Sequence, residues 1–115
     1  MTIAQHSERL ARVRHRFASS IESKIEYTYA AIPNLSGHGT AVADVVARSY
    51  RRIHDIVGVG PTVGFIDTGR AARVVENVLI PAQCARRGLS TAEIDRLKQA
   101  LQALHEISQR ELRSL

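Results

Sequence analysis

Of the 115 residues one is cysteine, three are proline, two are phenylalanine, three are tyrosine and none is tryptophan. The lone Cys84 cannot close an internal disulfide, so nothing points to an oxidising compartment. No apolar stretch reaches the roughly 18 residues that a membrane span needs. No basic start followed by an apolar run and a small-residue cleavage site marks a secretory signal. No segment alternates apolar and polar residues with period two, which argues against a sheet. No run of Lys or Arg exceeds two, and aromatics are not interleaved with them, so no stacking platform for nucleic-acid bases is visible. These absences leave a small soluble domain over residues 1–115, expected in the cytoplasm, with neither nucleic acid nor membrane as its partner.

The chain is 44% hydrophobic and 23% charged, close to the globular average. A domain of this length buries a core without metal or disulfide staples. Sixteen Lys and Arg against eleven Asp and Glu give a net charge of +5, which favours acidic partners. The arginines fall in several places: Arg9, Arg12, Arg14 and Arg16, then Arg48, Arg51 and Arg52, then Arg70 and Arg73, then Arg86 and Arg87.

Apolar spacing is helical nearly throughout. Ile3, Leu10, Val13, Phe17, Ile21 and Ile25 lie three, four or seven apart on one face of a first helix. It should stop near Ile32, because Pro33 disfavours helical geometry in the residue before it. Residues 34–39 read as a loop. A second helix, with Thr40 as N-cap, carries Val42, Val45, Val46, Ser49, Ile53 and Ile56. Pro61 cannot donate to Val57, so this helix should kink or end between Gly58 and Thr62. A third helix, from Asp67 or Thr68, carries Ala71, Val74, Val75 and Val78; Pro81 should bend or end it, and Gly88 closes the segment. Ser90-Thr91-Ala92-Glu93 has the spacing of a capping box and opens a fourth helix with Ile94, Leu97, Leu101, Leu104, Ile107, Ser108 and Leu112 on its face. Residues 110–115 are expected to fray. Four amphipathic helices with short connections predict an all-α, up-down-up-down antiparallel four-helix bundle.

Chemistry-bearing residues are sparse. His6, His15, His38, His54 and His105 show no i,i+4 pairing and no Cys-x-x-Cys companion, so no metal constellation emerges. Gly58-Val59-Gly60-Pro61-Thr62-Val63-Gly64 lacks the Lys-Ser/Thr of a phosphate loop and follows a helix, so its glycines read as a turn and a close helix approach. Cys84 has no activating base nearby in sequence and reads as a small buried helical residue. His54 differs. It sits one position off the core stripe at Ile53, and the line one turn apart through it runs Ala43, Ala47, Tyr50, His54, Gly58. A helical glycine costs roughly 1 kcal/mol relative to alanine. Either the helix ends there, or another molecule comes close to His54.

Ile53-His54-Asp55-Ile56-Val57-Gly58, then Gly64-Phe65, then Ala71-Ala72-Arg73-Val74-Val75-Glu76 resembles the histidine-containing phosphotransfer (HPt) domain family. That family has a helix-borne His, a Gly four residues later, a second Gly six further on followed by an apolar residue, and a later helix ending in an apolar-Glu pair. The match is closest over residues 50–79. It implies that His54 is phosphorylated by exchange with the aspartate of a response-regulator receiver domain or a hybrid histidine kinase. Imidazole suits the role: with an unperturbed pKa near 6.5, much of it is an uncharged nucleophile at neutral pH. Tyr50, Arg51, Val57, Gly58 and Gly64 would form the docking surface. The chain itself would be a monomeric carrier with no cofactor and no ATP site. In-line transfer also needs charge neutralisation, so Mg²⁺ is expected from the receiver.

The family often has Lys three residues after the His, where this chain has Val57. Charge compensation is then expected from Arg51, from the helix bearing Arg70 and Arg73, or from the receiver. The competing readings are a degenerate HPt-like adaptor that docks an acidic protein without being phosphorylated, and a small nucleic-acid-binding bundle suggested by charge alone.

Overall fold

The computed structural model describes residues 2–114 and consists of four helices: α1 (Ile3–Ala31), α2 (Thr40–Val59), α3 (Ile66–Ala85) and α4 (Thr91–Arg113), with single 3₁₀ turns at Ile32–Asn34 and Gly60–Val63. Among the described residues there is no strand, and no helix is long and apolar enough to cross a membrane. α2 packs on α3, α3 on α4, and α1 closes the ring against α2 and α4. Short connections between laterally packed helices make neighbours antiparallel, so the result is the expected bundle.

The boundaries follow local chemistry. α1 ends at Ala31, one residue before Ile32 turns into the Pro33-containing 3₁₀ turn. Gly39, with φ +103°, is the N-cap of α2, and Thr40 is its first residue instead of its cap. α2 ends at Val59, within the interval that Pro61 dictates. α3 begins at Ile66, one residue earlier than expected, and runs past Pro81 to Ala85. Pro81 deprives only the carbonyl of Asn77, an exposed residue, and water can satisfy that group. The left-handed residue closing α3 is Arg86, at φ 52°, not Gly88. Ser90 and Glu93 form both bonds of the capping box. α4 stays helical to Arg113, so the expected fraying does not reach that far; Leu115 lies outside the described residues.

Gly88 has another use. A Cβ there would lie 2.6 Å from the carbonyl oxygen of Gly37 and 2.9 Å from that of Leu35. The absent side chain lets the α3–α4 connection press on the α1–α2 loop, where Leu89 N–H donates to Leu35 O at 2.7 Å. At the other end the 3₁₀ turn approaches α3 through two glycines: a Cβ on Gly60 would lie 3.1 Å from Phe65 O, and one on Gly69 3.0 Å from Pro61 Cδ.

The core joins Phe17, Ile21 and Ile25 of α1, Val46, Ile53 and Ile56 of α2, Ala72, Val75 and Leu79 of α3, and Leu97, Leu101 and Leu104 of α4. Phe17 and Phe65 meet edge to face, with centroids 5.4 Å apart. Two expected core assignments are corrected. Val74 is exposed, because α3 buries the side bearing Ala72, Val75 and Leu79. In α1 burial begins at Phe17. That helix has 29 residues, about 44 Å at 1.5 Å per residue. Its partners have 20 to 23, so the α1 segment carrying Ile3, Leu10 and Val13 extends beyond them.

Candidate functional site around His54

α2 and α3, packed side by side, bring together residues 22 positions apart. Ile53 is fully buried, which turns the next side chain, His54, to the edge of the helix; it is 58% exposed. Opposite it on α3, Glu76 lies one turn from buried Ala72 and buried Leu79, and its side chain is only 4% exposed. His54 Nδ1 and Glu76 Oε2 are 2.5 Å apart.

A carboxylate withdrawn from water needs partners. Glu76 has one on each oxygen: the imidazole on Oε2, and Arg73 Nη1 at 3.6 Å from Oε1. An ionised carboxylate only accepts, so Nδ1 carries the hydrogen and donates. In the neutral ring the second nitrogen, Nε2, then holds the free lone pair. Tyr50, one turn back, stacks on the imidazole with centroids 5.6 Å apart and 18° between planes. The ring is held at one edge and on one face, leaving Nε2 available to react.

The surroundings are open. A Cβ on Gly58 would meet nothing within 4 Å. A groove of about 320 Å³ lies alongside, lined by Val57, Pro61, Ile66, Gly69, Arg70 and Arg73. It shares Arg73 with the Glu76 pair, and Val57 is one turn from His54. A larger cavity of about 490 Å³ between α3 and α4 includes Asp67, Arg70, Arg110 and Glu111 but no histidine. Glu111 there caps α3, accepting from the Asp67 N–H at 3.3 Å and the Thr68 N–H at 2.5 Å.

The expected site residues separate into two groups. Tyr50, Val57 and Gly58 surround His54 or line the groove. Gly64, at φ +94°, ends the 3₁₀ turn beside the Arg14 guanidinium, whose Nε donates to Val63 O at 3.2 Å. Arg51 is exposed and holds none of the site's ion pairs or hydrogen bonds. Arg52 is turned toward α1, its guanidinium 3.6 Å from the Tyr27 ring centroid. The cation linked to the site is Arg73 on α3. Glu76 entered the sequence reading only as part of a family pattern, and its contact with His54 was not foreseen. The available signal was an acid on the Ala72–Leu79 side of an otherwise apolar helix face. Cys84 is exposed on α3, not buried as expected; the buried positions nearby are Leu79 and Ala82.

Among the described residues no group of three or more His, Cys, Asp or Glu could hold a metal ion. No family model, no curated protein and no solved structure matches the chain.

Proposed function

We propose that the protein is a histidine phosphotransfer carrier of a two-component relay, accepting a phosphoryl group on His54 Nε2 and passing it to a receiver-domain aspartate. The observation that carries this reading is the pairing of an exposed imidazole with a buried carboxylate. Glu76 holds the Nδ1 hydrogen, which fixes the tautomer whose Nε2 is nucleophilic, and the open Gly58 and the adjoining groove give a partner room to approach.

The Nε2 lone pair attacks the phosphorus of an aspartyl phosphate. An N–P bond forms, the acyl P–O bond breaks, and the aspartate leaves as carboxylate with the bonding pair. The ring becomes formally cationic with its hydrogen still on Nδ1, and the Glu76 carboxylate lies against that charge. No other proton has to move, so the reverse transfer uses the same arrangement. Mg²⁺ at the phosphoryl group belongs to the receiver in this reading, and the site of action is the cytoplasm.

The test is incubation with a panel of receiver domains carrying labelled aspartyl phosphate. Acid-labile label should appear on the wild type and be absent from a folded His54→Gln variant. Receiver binding without label on His54 would instead identify a non-phosphorylated adaptor.

A further inference from the structure

The first half of α1 meets the rest of the bundle at Arg14, whose Nε donates to Val63 O at 3.2 Å, while its apolar residues stay uncovered. Ile3, Leu10 and Val13 are 88%, 36% and 41% exposed. Yet the segment is finished at its start: Gln5 N–H donates to Thr2 Oγ1 at 3.2 Å, and Thr2 N–H donates to Gln5 Oε1 at 3.0 Å. Ile3, His6, Leu10, Val13 and Phe17 follow one another at alternating spacings of three and four. That is the a/d stripe of a heptad repeat, with His6 its one polar member. At Phe17 the stripe enters the core.

With Ile3 taken as an a position, the flanking e and g positions are Ser7, Arg9, Arg14 and Arg16, of which Arg9 and Arg16 are exposed and Arg14 is bonded to Val63 O. In a parallel pair of two copies, Arg9 would face Arg14; in an antiparallel pair, Arg9 would face Arg16. Like charges at these positions oppose pairing. A stripe confined to a and d is also narrower than the broad apolar face that a helix lays on a bilayer. The seam therefore fits a single helix of opposite charge.

We propose that the exposed first half of α1 is a docking seam for an amphipathic helix of a partner protein, apolar at its a and d positions and acidic at its e and g positions. This surface includes none of the residues around His54, so the two can be tested separately.

The experiment measures fluorescence anisotropy of two labelled three-heptad peptides with the full chain. Both carry Leu and Ile at a and d; one has Glu and the other Lys at e and g. The Glu peptide should bind saturably and at least about tenfold tighter than the Lys peptide. Leu10→Asp should weaken it by about tenfold or more, the equivalent of one lost buried leucine. The double variant Arg9→Glu/Arg16→Glu should reverse the preference. Both changes lie on exposed helix, and circular dichroism checks that the bundle stays folded. Absence of binding, equal affinity for the two peptides, or a double variant that still prefers Glu would overturn the proposal. So would tighter binding to phosphatidylserine vesicles than to the Glu peptide, or a dimer of the chain that Leu10→Asp dissolves.

Discussion

Glu76, buried on α3, holds Nδ1 of the exposed His54 on α2 at 2.5 Å. In the proposed reading His54 supplies the nucleophile and Glu76 sets which of its nitrogens attacks. Replacing Glu76 by Leu removes a buried charge together with its bond to a ring that water can still reach. Losing one member of a buried pair is costly when the other stays buried, but His54 and Arg73 are both open to water, so stability should change little. Phosphoryl transfer should nevertheless fall, by roughly 10–100-fold if the loss matches that seen when the group orienting a metal-bound imidazole is removed. Nitrogen NMR of the His54 ring checks the cause. The wild type should show the hydrogen on Nδ1, and Glu76→Leu should lose that preference.

Arg73 is the cation linked to the site, through Glu76 Oε1 at 3.6 Å, and Val57 supplies none. Arg73→Ala should slow transfer or shorten the phosphohistidine lifetime by up to about fivefold, the effect of an exposed charge pair worth about 0–1 kcal/mol. Val57→Lys should partly restore it. Arg51→Ala, removing a side chain outside the site's bonds, should have the smaller effect. Single-turnover transfer rates of the four proteins decide the order; equal rates would assign the compensation to the receiver.

Gly58 is helical and faces open space. Gly58→Gln should therefore raise the melting temperature slightly, since glycine disfavours a helix by up to about 1 kcal/mol, while impeding the approach of a partner. A variant with normal transfer would make Gly58 a helix-end residue and nothing more.

Acid should reach the fold at a different place. Arg87 holds the Glu93 carboxylate with two bonds, at 2.7 and 3.2 Å, and the Ser90 N–H adds a third at 2.8 Å. These bonds, Arg87 first, outweigh burial and lower the Glu93 pKa from 4.5 to about 2. A pKa lower in the folded chain means that protonation favours unfolding. The stabilisation is present above about pH 4.5 and is lost as pH falls from there toward about 2. Glu93→Gln should cost roughly 1–2 kcal/mol at neutral pH and flatten this acid limb, as measured by urea unfolding across the range.

The helices were legible because each buried stripe keeps one period over several turns, and their ends because Pro33, Pro61 and the Ser90–Glu93 box act locally. Periodicity marks which side of a helix is apolar but not what covers it. Ile3, Leu10 and Val13 continue the stripe of Phe17 and Ile21, yet α1 outruns its partners and leaves them exposed. The same limit misplaced Val74 and Cys84. His54 was legible as an edge position beside Ile53. Its bond to Glu76 was not, because the register between α2 and α3 is set by core packing and by the glycine contacts at the turn.

The most direct measurement locates the phosphate within the protein. After phosphoryl transfer from a receiver domain, phosphorus–proton correlation NMR of the intact chain should show a single phosphoramidate on Nε2 of His54, with the Nδ1 hydrogen retained against Glu76. Phosphate on Nδ1, phosphate on His6, His15, His38 or His105, or no phosphohistidine in a folded chain would contradict the account.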